Sequence, residues 1–516
     1  MSDAEQRDYR RDFRAMRAQL SSLAMVTGIC AVLFLLYYGT CAQRGCNMFI
    51  SVGLNFALQS VLIGAVGLTV YRMIRRYPAS IWTPMVMFPI GSALFFGFGS
   101  MSTFLGSDQT LSFLMANNYA ITAPEQLRTN ILTFTGITVA LASMNVVLRM
   151  RFGRPKTQGP RTKFSLGTTA IGFLVIGAIL KYLLILPNDF GVTNFTIPGT
   201  LKSLSPLIDL GFAIVAYLSV KSGKNWSVLF WLAWPPHLLL TVLEFSKMTV
   251  MFALLLPAAG AFLAHQNWRR LMLWVLVSAI AFVSLQEVNT AGRLTIKRGT
   301  GTIGEAGFAN RFDILGRALT GEITVADTAT ATVAAAQVWW LRLNYAGAQL
   351  KAMELYDRGQ KGEWTLSVVE VVVPRIFWPS KPVANAQGRE FNRLVSGNEE
   401  AMTQVGVSVY GDGYWQMGWF GLFLFSAIMG GILGFVARFT YVMAAERRLI
   451  FLPVIFLGMR MALLGPSGVI QKAFIGALPI LLAYMLLIIL IEQVLKDAGK
   501  RNTPGYARQR NHGYST

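Results

Sequence analysis

The residues best suited to chemistry gather between Val373 and Gly421, where cations, aromatics, Gly and Pro are mixed at a density found nowhere else in the chain. Arg375, Lys381, Arg389 and Arg393 supply positive charge, and Asp412 supplies a carboxylate between Tyr410-Gly411 and Gly413-Tyr414. Planar guanidinium forks make paired, charge-assisted hydrogen bonds to phosphate oxygens, so this stretch points to a phosphorylated anion. Arg389 and Arg393 stand at i, i+4 and share one face of a helix. They either clamp one anionic group together or pair with Glu390, Glu399 or Glu400. Arg375 and Lys381 bracket Phe377-Trp378-Pro379, which reads as an interfacial anchor holding both cations at headgroup depth or as a plain structural turn. Asp412 is a general base for a hydroxyl, a helix N-cap, or both.

Other ionisable residues stand in or beside apolar runs. Glu244 and Lys247 face each other across a tight turn, Leu-Glu-Phe-Ser-Lys-Met, and a mutual salt bridge is expected for Glu244. Arg460 falls inside an apolar run, where burial costs several kcal/mol unless the charge is paired or reaches water, so it is a binding candidate. Asp209 is its partner or the lining of a cavity. Arg311 joins Lys247, Lys381, Arg393, Tyr410, Tyr414 and Arg460 as a candidate substrate-binding residue. It belongs to a loop that also carries Arg293, Lys297, Arg298, Arg317, Arg342, Lys351, Arg358 and Lys361.

Several chemistries are excluded by what the chain lacks. It has no Gly-x-x-x-x-Gly-Lys-Ser/Thr loop to cradle a nucleotide and no Asp-x-Asp pair to hold a divalent ion on a nucleotide sugar. His237 and His265 are isolated in sequence and His512 lies in the tail, which leaves no ligand spacing for a metal. No metal and no cofactor is expected. Catalysis would rest on Arg, Lys and a carboxylate.

The elements that must position these groups are membrane helices. Of 516 residues, 54% are hydrophobic and 14% are charged, against about 25% charged in soluble domains. Apolar runs near twenty residues recur, long enough to cross a core of about 30 Å. They predict an all-α polytopic membrane protein of about 12 spans. We place these at about 21–39, 49–71, 81–105, 129–148, 165–186, 203–220, 227–245, 248–266, 271–289, 414–440, 449–464 and 470–495. The net charge of +21 follows topology rather than nucleic acid. Arg72, Arg75 and Arg76, the run from Arg149 to Lys163, Lys221 and Lys224, Arg269 and Arg270, and Arg447 and Arg448 fall in alternate connections, as the positive-inside rule requires. Both termini are expected in the cytoplasm.

The resulting divisions are a cytoplasmic arm over 1–20, a bundle over 21–289, a large external loop over 290–413, a second bundle over 414–495 and a disordered basic tail over 496–516. Within the loop, Thr328 to Asp357 reads as helix, with Trp339 and Trp340 at the membrane interface. Leu366 to Val373 reads as a strand or an interfacial run. Cys41 and Cys46 either close a small disulfide or remain thiols.

Pro374-Arg375-Ile-Phe-Trp-Pro379-Ser-Lys381-Pro382, then Phe391, Tyr410 to Tyr414 and Gly418-Trp419-Phe420-Gly421 resemble the Wzy-type polysaccharide repeat-unit polymerases, relatives of O-antigen polymerases and ligases. The Ser246-Lys247 turn also fits. The match covers under a tenth of the chain, and Asp412 stands where many members carry Glu. The resemblance implies a GT-C-like glycosyltransferase of the bacterial inner membrane with a periplasmic loop. Its donor and acceptor would be polyprenyl-diphosphate-linked oligosaccharides, with Arg375 and Arg389 stabilising the leaving diphosphate and Asp412 taking a proton. Membrane lipid, a chain-length regulator and a flippase are the expected partners, and nucleic acid is not. Two alternatives remain open: a ligase sharing the donor chemistry, and a lipid-linked oligosaccharide transporter.

Overall fold

A computed structural model describes residues 3–106, 108–116, 118–150, 166–193, 197, 199–300, 307–322, 340, 343–362, 373, 378, 386–398, 405–446 and 448–501. Apolar runs of this length fold as helices because hydrocarbon offers backbone N–H and C=O groups no partner but each other. The described residues are helical, with no strand among them. The helices are α1 (Asp3–Arg44), α2 (Met48–Arg76), α3 (Pro84–Leu105), α4 (Asp108–Ala116), α5 (Ala123–Arg149), α6 (Leu166–Asp189), α7 (Leu207–Lys221), α8 (Lys224–Leu243) and α9 (Lys247–His265). They continue as α10 (Trp268–Thr300), α11 (Phe308–Leu319), α12 (Ala346–Asp357), α13 (Ala386–Ser396), α14 (Ser408–Ala445), α15 (Leu449–Ser467) and α16 (Ala477–Arg501).

Ten of these helices are long and apolar enough to cross a membrane, so the chain is a polytopic helical membrane protein by length and composition. The expectation of about 12 spans exceeds that number. The run placed at 203–220 folds as α7, which has 15 residues and is too short. The run placed at 271–289 belongs to the 33-residue α10, which stands outside the ten.

Two packed groups make up the bundle. In the first, α5 lies between α1 and α14, and the polar pairs Thr27–Thr138 and Asn55–Asn130 tie its inner faces together. In the second, α7 packs between α6 and α9. The closeness depends on small residues: a Cβ on Gly430 would strike the Ala140 carbonyl, and one on Gly260 the Ala213 carbonyl. Local signals are kept where they count. Thr122 and Glu125 form a reciprocal capping box that starts α5.

The ends depart from expectation. The residues read as an N-terminal arm continue α1, burying Met16 and Leu20, and Tyr441 donates its hydroxyl proton to Asp12 at 2.8 Å. Residues 496–501 likewise continue α16 rather than opening the tail, whose remaining residues lie outside the described ones. Cys41 and Cys46 are joined by a disulfide at the α1–α2 turn. Of the loop expectations, Trp339 and most of 328–345 and 366–373 fall outside the described residues, whereas 346–357 is helical as read. Trp340 donates its indole N–H to the Phe98 carbonyl at 2.6 Å and stacks on the Phe98 ring, which binds the loop to the end of α3.

Candidate functional site

The carboxylate expected to act as a base is enclosed. Helix α14 begins at Ser408, ahead of the expected 414, so Tyr410, Asp412 and Tyr414 lie inside it rather than at its mouth. Asp412 has no exposed surface. Its Oδ1 accepts from Gln416 at 2.6 Å and from Gln387 at 3.3 Å, and its Oδ2 accepts the Ile470 backbone N–H at 3.1 Å. Ile470 opens the final helical segment, so Asp412 satisfies a helix-start donor that would otherwise be orphaned. It caps a distant helix, not its own, and no face remains for a substrate hydroxyl.

Its neighbours serve the same packing. Tyr410 is wholly buried, and a Cβ on Gly136 would collide with its ring. Tyr414 donates to Asp357 at 3.2 Å, and the other oxygen of Asp357 meets Arg128 at 2.5 Å. Gly418 has φ of +64° with the Tyr356 ring where a side chain would start, which breaks α14 in two.

Helix α13 exists as read. Phe391 is buried on Trp415, and Tyr119 donates to Asn392 at 3.1 Å. Arg389 and Arg393 share the opposite side, the first half-buried and the second exposed. Arg375 and Lys381 lie outside the described residues, as does the side chain of Lys247, whose backbone starts α9.

A buried charged group gathers elsewhere, where α6, α8 and α11 meet. Lys181 and Tyr182 ride on a π-helical stretch, Ile179–Ile185, and such bulges re-aim side chains toward functional interiors. The Lys181 ammonium lies 2.9 Å from Glu244 Oε1 and donates to Thr241 Oγ1 at 3.3 Å. Arg311, buried at the start of α11, donates to the Leu243 carbonyl at 3.2 Å and to the Asp189 carbonyl at 2.9 Å. Its guanidinium covers the Phe190 ring at 4.2 Å. Deeper in the bundle, His237 joins Asp209 through Nε2 at 2.7 Å and Tyr182 through Nδ1 at 2.5 Å.

Glu244 pairs with Lys181, because the π-helical turn carries that ammonium to it, while the expected bridge to Lys247 involves a side chain outside the described residues. Asp209, read as the partner of Arg460 or a cavity lining, pairs with His237. His237, isolated in sequence, is engaged at both ring nitrogens. Arg460 sits on an exposed face of α15 beside Tyr484. Arg311 is thus grouped with Glu244 at the α6–α8–α11 junction, while Asp412, Tyr410, Tyr414, Arg389 and Arg393 belong to α13 and α14, where Tyr410 and Tyr414 join the main apolar cluster and Phe391 and Trp415 a smaller one. The expected single lining that includes all of them is not formed by the described side chains.

Sequence reasoning named Glu244, Asp209 and Arg311 but missed Lys181, Tyr182 and His237 as members. The available signal was a Lys in the middle of an apolar run and a His just after Pro235-Pro236, both costly unless paired.

Chemically, the junction offers a carboxylate with two cations in apolar surroundings. Glu244 keeps 16% of its side chain exposed against 5% for Lys181, so the carboxylate is the accessible partner. Burial pushes the Glu244 carboxyl above the usual carboxylate range, with Lys181 pulling against it. Burial lowers the Arg311 guanidinium, opposed by Asp189 and Glu244. A carboxylate so raised is a better proton acceptor near neutral pH than a free one, and the two cations suit a developing anion. Among the described residues, no group of three or more His, Cys, Asp or Glu is placed to hold a metal ion.

No protein-family model, no curated protein sequence and no solved structure matches this chain.

Proposed function

We propose that this protein is a membrane glycosyltransferase that polymerises polyprenyl-diphosphate-linked oligosaccharide repeat units, with Glu244 rather than Asp412 as the proton acceptor. The observation that carries the reading is the Glu244–Lys181 pair at 2.9 Å with Arg311 beside it, at the Ser246-Lys247 turn. The acceptor hydroxyl attacks the anomeric carbon as its proton passes to Glu244. The anomeric C–O bond to the diphosphate breaks, and the leaving diphosphate gains negative charge beside Lys181 and Arg311. Preorganised cations in a water-poor site stabilise such charge strongly. The substrate class comes from the resemblance of Pro374 to Pro382 and of Gly418 to Gly421, and Arg375 and Lys381 are assigned to the same diphosphate on that ground. The reading places the protein in a bacterial inner membrane with both termini in the cytoplasm, working beside a flippase and a chain-length regulator.

The test is reconstitution of the full chain in lipid vesicles with a polyprenyl-diphosphate-linked repeat unit as sole substrate. A ladder of lengthened glycans that is lost in Glu244→Gln supports the reading. Transfer only when a second, chemically different acceptor is added would make it a ligase, and movement of the lipid across the vesicle without new glycosidic bonds would make it a transporter.

A further inference from the structure

We propose that the cleft between α4, α12 and α13 is a binding site for an acidic sugar, a pyranose bearing a carboxylate, within the glycan this protein handles. The source of that sugar rests on the glycosyl-transfer reading, whereas the site stands on the shape and charge of the cleft. Its volume is about 450 Å³, and it shares no lining residue with the Glu244 junction. Small-molecule sites run from roughly 300 to 1,000 Å³. None of its three helices is among the ten able to cross a membrane, so its ligand is the saccharide part of the substrate rather than the lipid.

One wall is charged. Lys351, Glu354 and Arg358 follow at i, i+3 and i+7 and stand in one row along α12 and its end. Lys351 and Arg358 both donate to the same Glu354 oxygen, at 3.0 and 3.3 Å. Two positive charges thus meet one negative charge, and the excess favours an anion. The other Glu354 oxygen accepts from no described residue and is open to a sugar hydroxyl. Elsewhere α12 buries Ala346 to Leu350, Ala352 and Met353, so this row is the side the helix leaves open. Partly exposed ion pairs add little to stability, and holding the fold does not account for the row.

The facing wall is apolar. Met115 on α4 and Leu394 and Val395 on α13 line it, and the first two are exposed. A pyranose has the same two-sided character, with C–H faces that lie on aliphatic side chains and polar groups around its edge. A carboxylate on that edge adds charge-assisted hydrogen bonds to guanidinium and ammonium.

The walls are fixed before any ligand arrives. Asn118 takes a left-handed φ of +60°, which Asn adopts more readily than most residues, and its amide donates to the Val395 carbonyl at 3.2 Å. Tyr119 donates to Asn392 at 3.1 Å, and a Cβ on Gly347 would strike the Tyr119 carbonyl. The turn after α4 is thereby clamped to both α12 and α13, and such preorganisation lowers the cost of binding. With both termini in the cytoplasm, α3 ends and α5 begins at the outer surface, so the cleft faces the side on which the glycan is built.

Calorimetric titration of the full chain in nanodiscs of zwitterionic lipid tests this, with trimers of galacturonate and glucuronate, their methyl esters and inorganic phosphate as probes. An acid trimer is expected to bind, more weakly as salt rises. Its ester keeps the rings, loses the charge and is expected to bind at least about tenfold more weakly. Lys351→Gln combined with Arg358→Gln should erase the difference between acid and ester. Met115→Trp narrows the rim with every charge in place, and it should weaken the acid trimer while the melting temperature stays that of the wild type. No binding by either acid trimer, equal binding of acid and ester, unchanged affinity in either variant, or displacement of the trimer by an equal concentration of phosphate overturns the site. Binding needs no catalysis. An acid trimer bound without any lengthening of glycan leaves the site standing and overturns the glycosyl-transfer reading, and lengthening without such binding overturns the site alone.

Discussion

The Lys181 ammonium lies 2.9 Å from the Glu244 carboxylate, across the contact between a π-helical turn of α6 and the end of α8. Both groups are largely withdrawn from water. Removing one charge from such a pair strands the other and costs about 3–5 kcal/mol. Lys181→Met is therefore expected to lower the midpoint of thermal unfolding sharply in detergent, whereas Lys181→Met combined with Glu244→Leu recovers most of the loss. Melting curves of the two variants and the wild type check this.

The two carboxylates considered as proton acceptors separate cleanly in their variants. Glu244→Gln keeps the shape and removes the basic oxygen, so glycan lengthening is expected to fall by about 100-fold or more. Asp412→Asn keeps an acceptor for part of its donor set and is expected to stay within a few-fold of wild type. Asp412→Ala leaves the Ile470 N–H without its partner and is expected to cost about 1–3 kcal/mol of stability. Initial rates and melts on the same preparations decide it.

Acidity gives a third check. Burial raises the Glu244 carboxyl in the folded protein above the ordinary value of about 4.3. A raised carboxyl contributes stability that is complete below the unfolded value and is lost as pH rises through the folded value. Activity runs the other way, because the ionised form takes the proton. Between the ordinary carboxylate range and the raised value, increasing pH is expected to speed lengthening while lowering the melting temperature. Glu244→Gln should flatten that limb of both curves.

The Cys41–Cys46 disulfide predicts a labelling pattern. Cys30 is buried, so a membrane-impermeant maleimide should not label intact cells before reduction. It should label Cys41 and Cys46 after a mild reductant is added outside the cells. Labelling without reductant would place that turn in a reducing compartment.

Much of the fold was legible because lipid imposes one rule on every span. Apolar length alone located α9 to within one residue at each end, whereas α2 runs five residues past its expected end and α5 begins six residues before its expected start. The run expected at 203–220 begins before helix Leu207–Lys221 does, because Ser205 and Pro206 lie in a turn that precedes the helix. The site was less legible. Arg389 and Arg393 were readable because i, i+4 is a local relation. Lys181 with Glu244, and Asp209 with His237, join different helices, and no spacing within one helix announces such pairs. The π-helical turn that aims Lys181 left no mark in the local residue pattern. The surroundings of Asp412 are not readable locally, because its donors Gln387 and the Ile470 N–H come from distant segments.

Helix α7 has 15 residues, a rise of roughly 22 Å against a hydrocarbon thickness of about 30 Å. Asp209 sits in its first turn, so the shortfall lies near the carboxylate end of the Asp209–His237 pair. Residues 207–218 are buried by the surrounding helices, so protein and not lipid closes the space beyond that end. The acyl-chain length of the host vesicle should therefore leave the Asp209–His237 contact undisturbed.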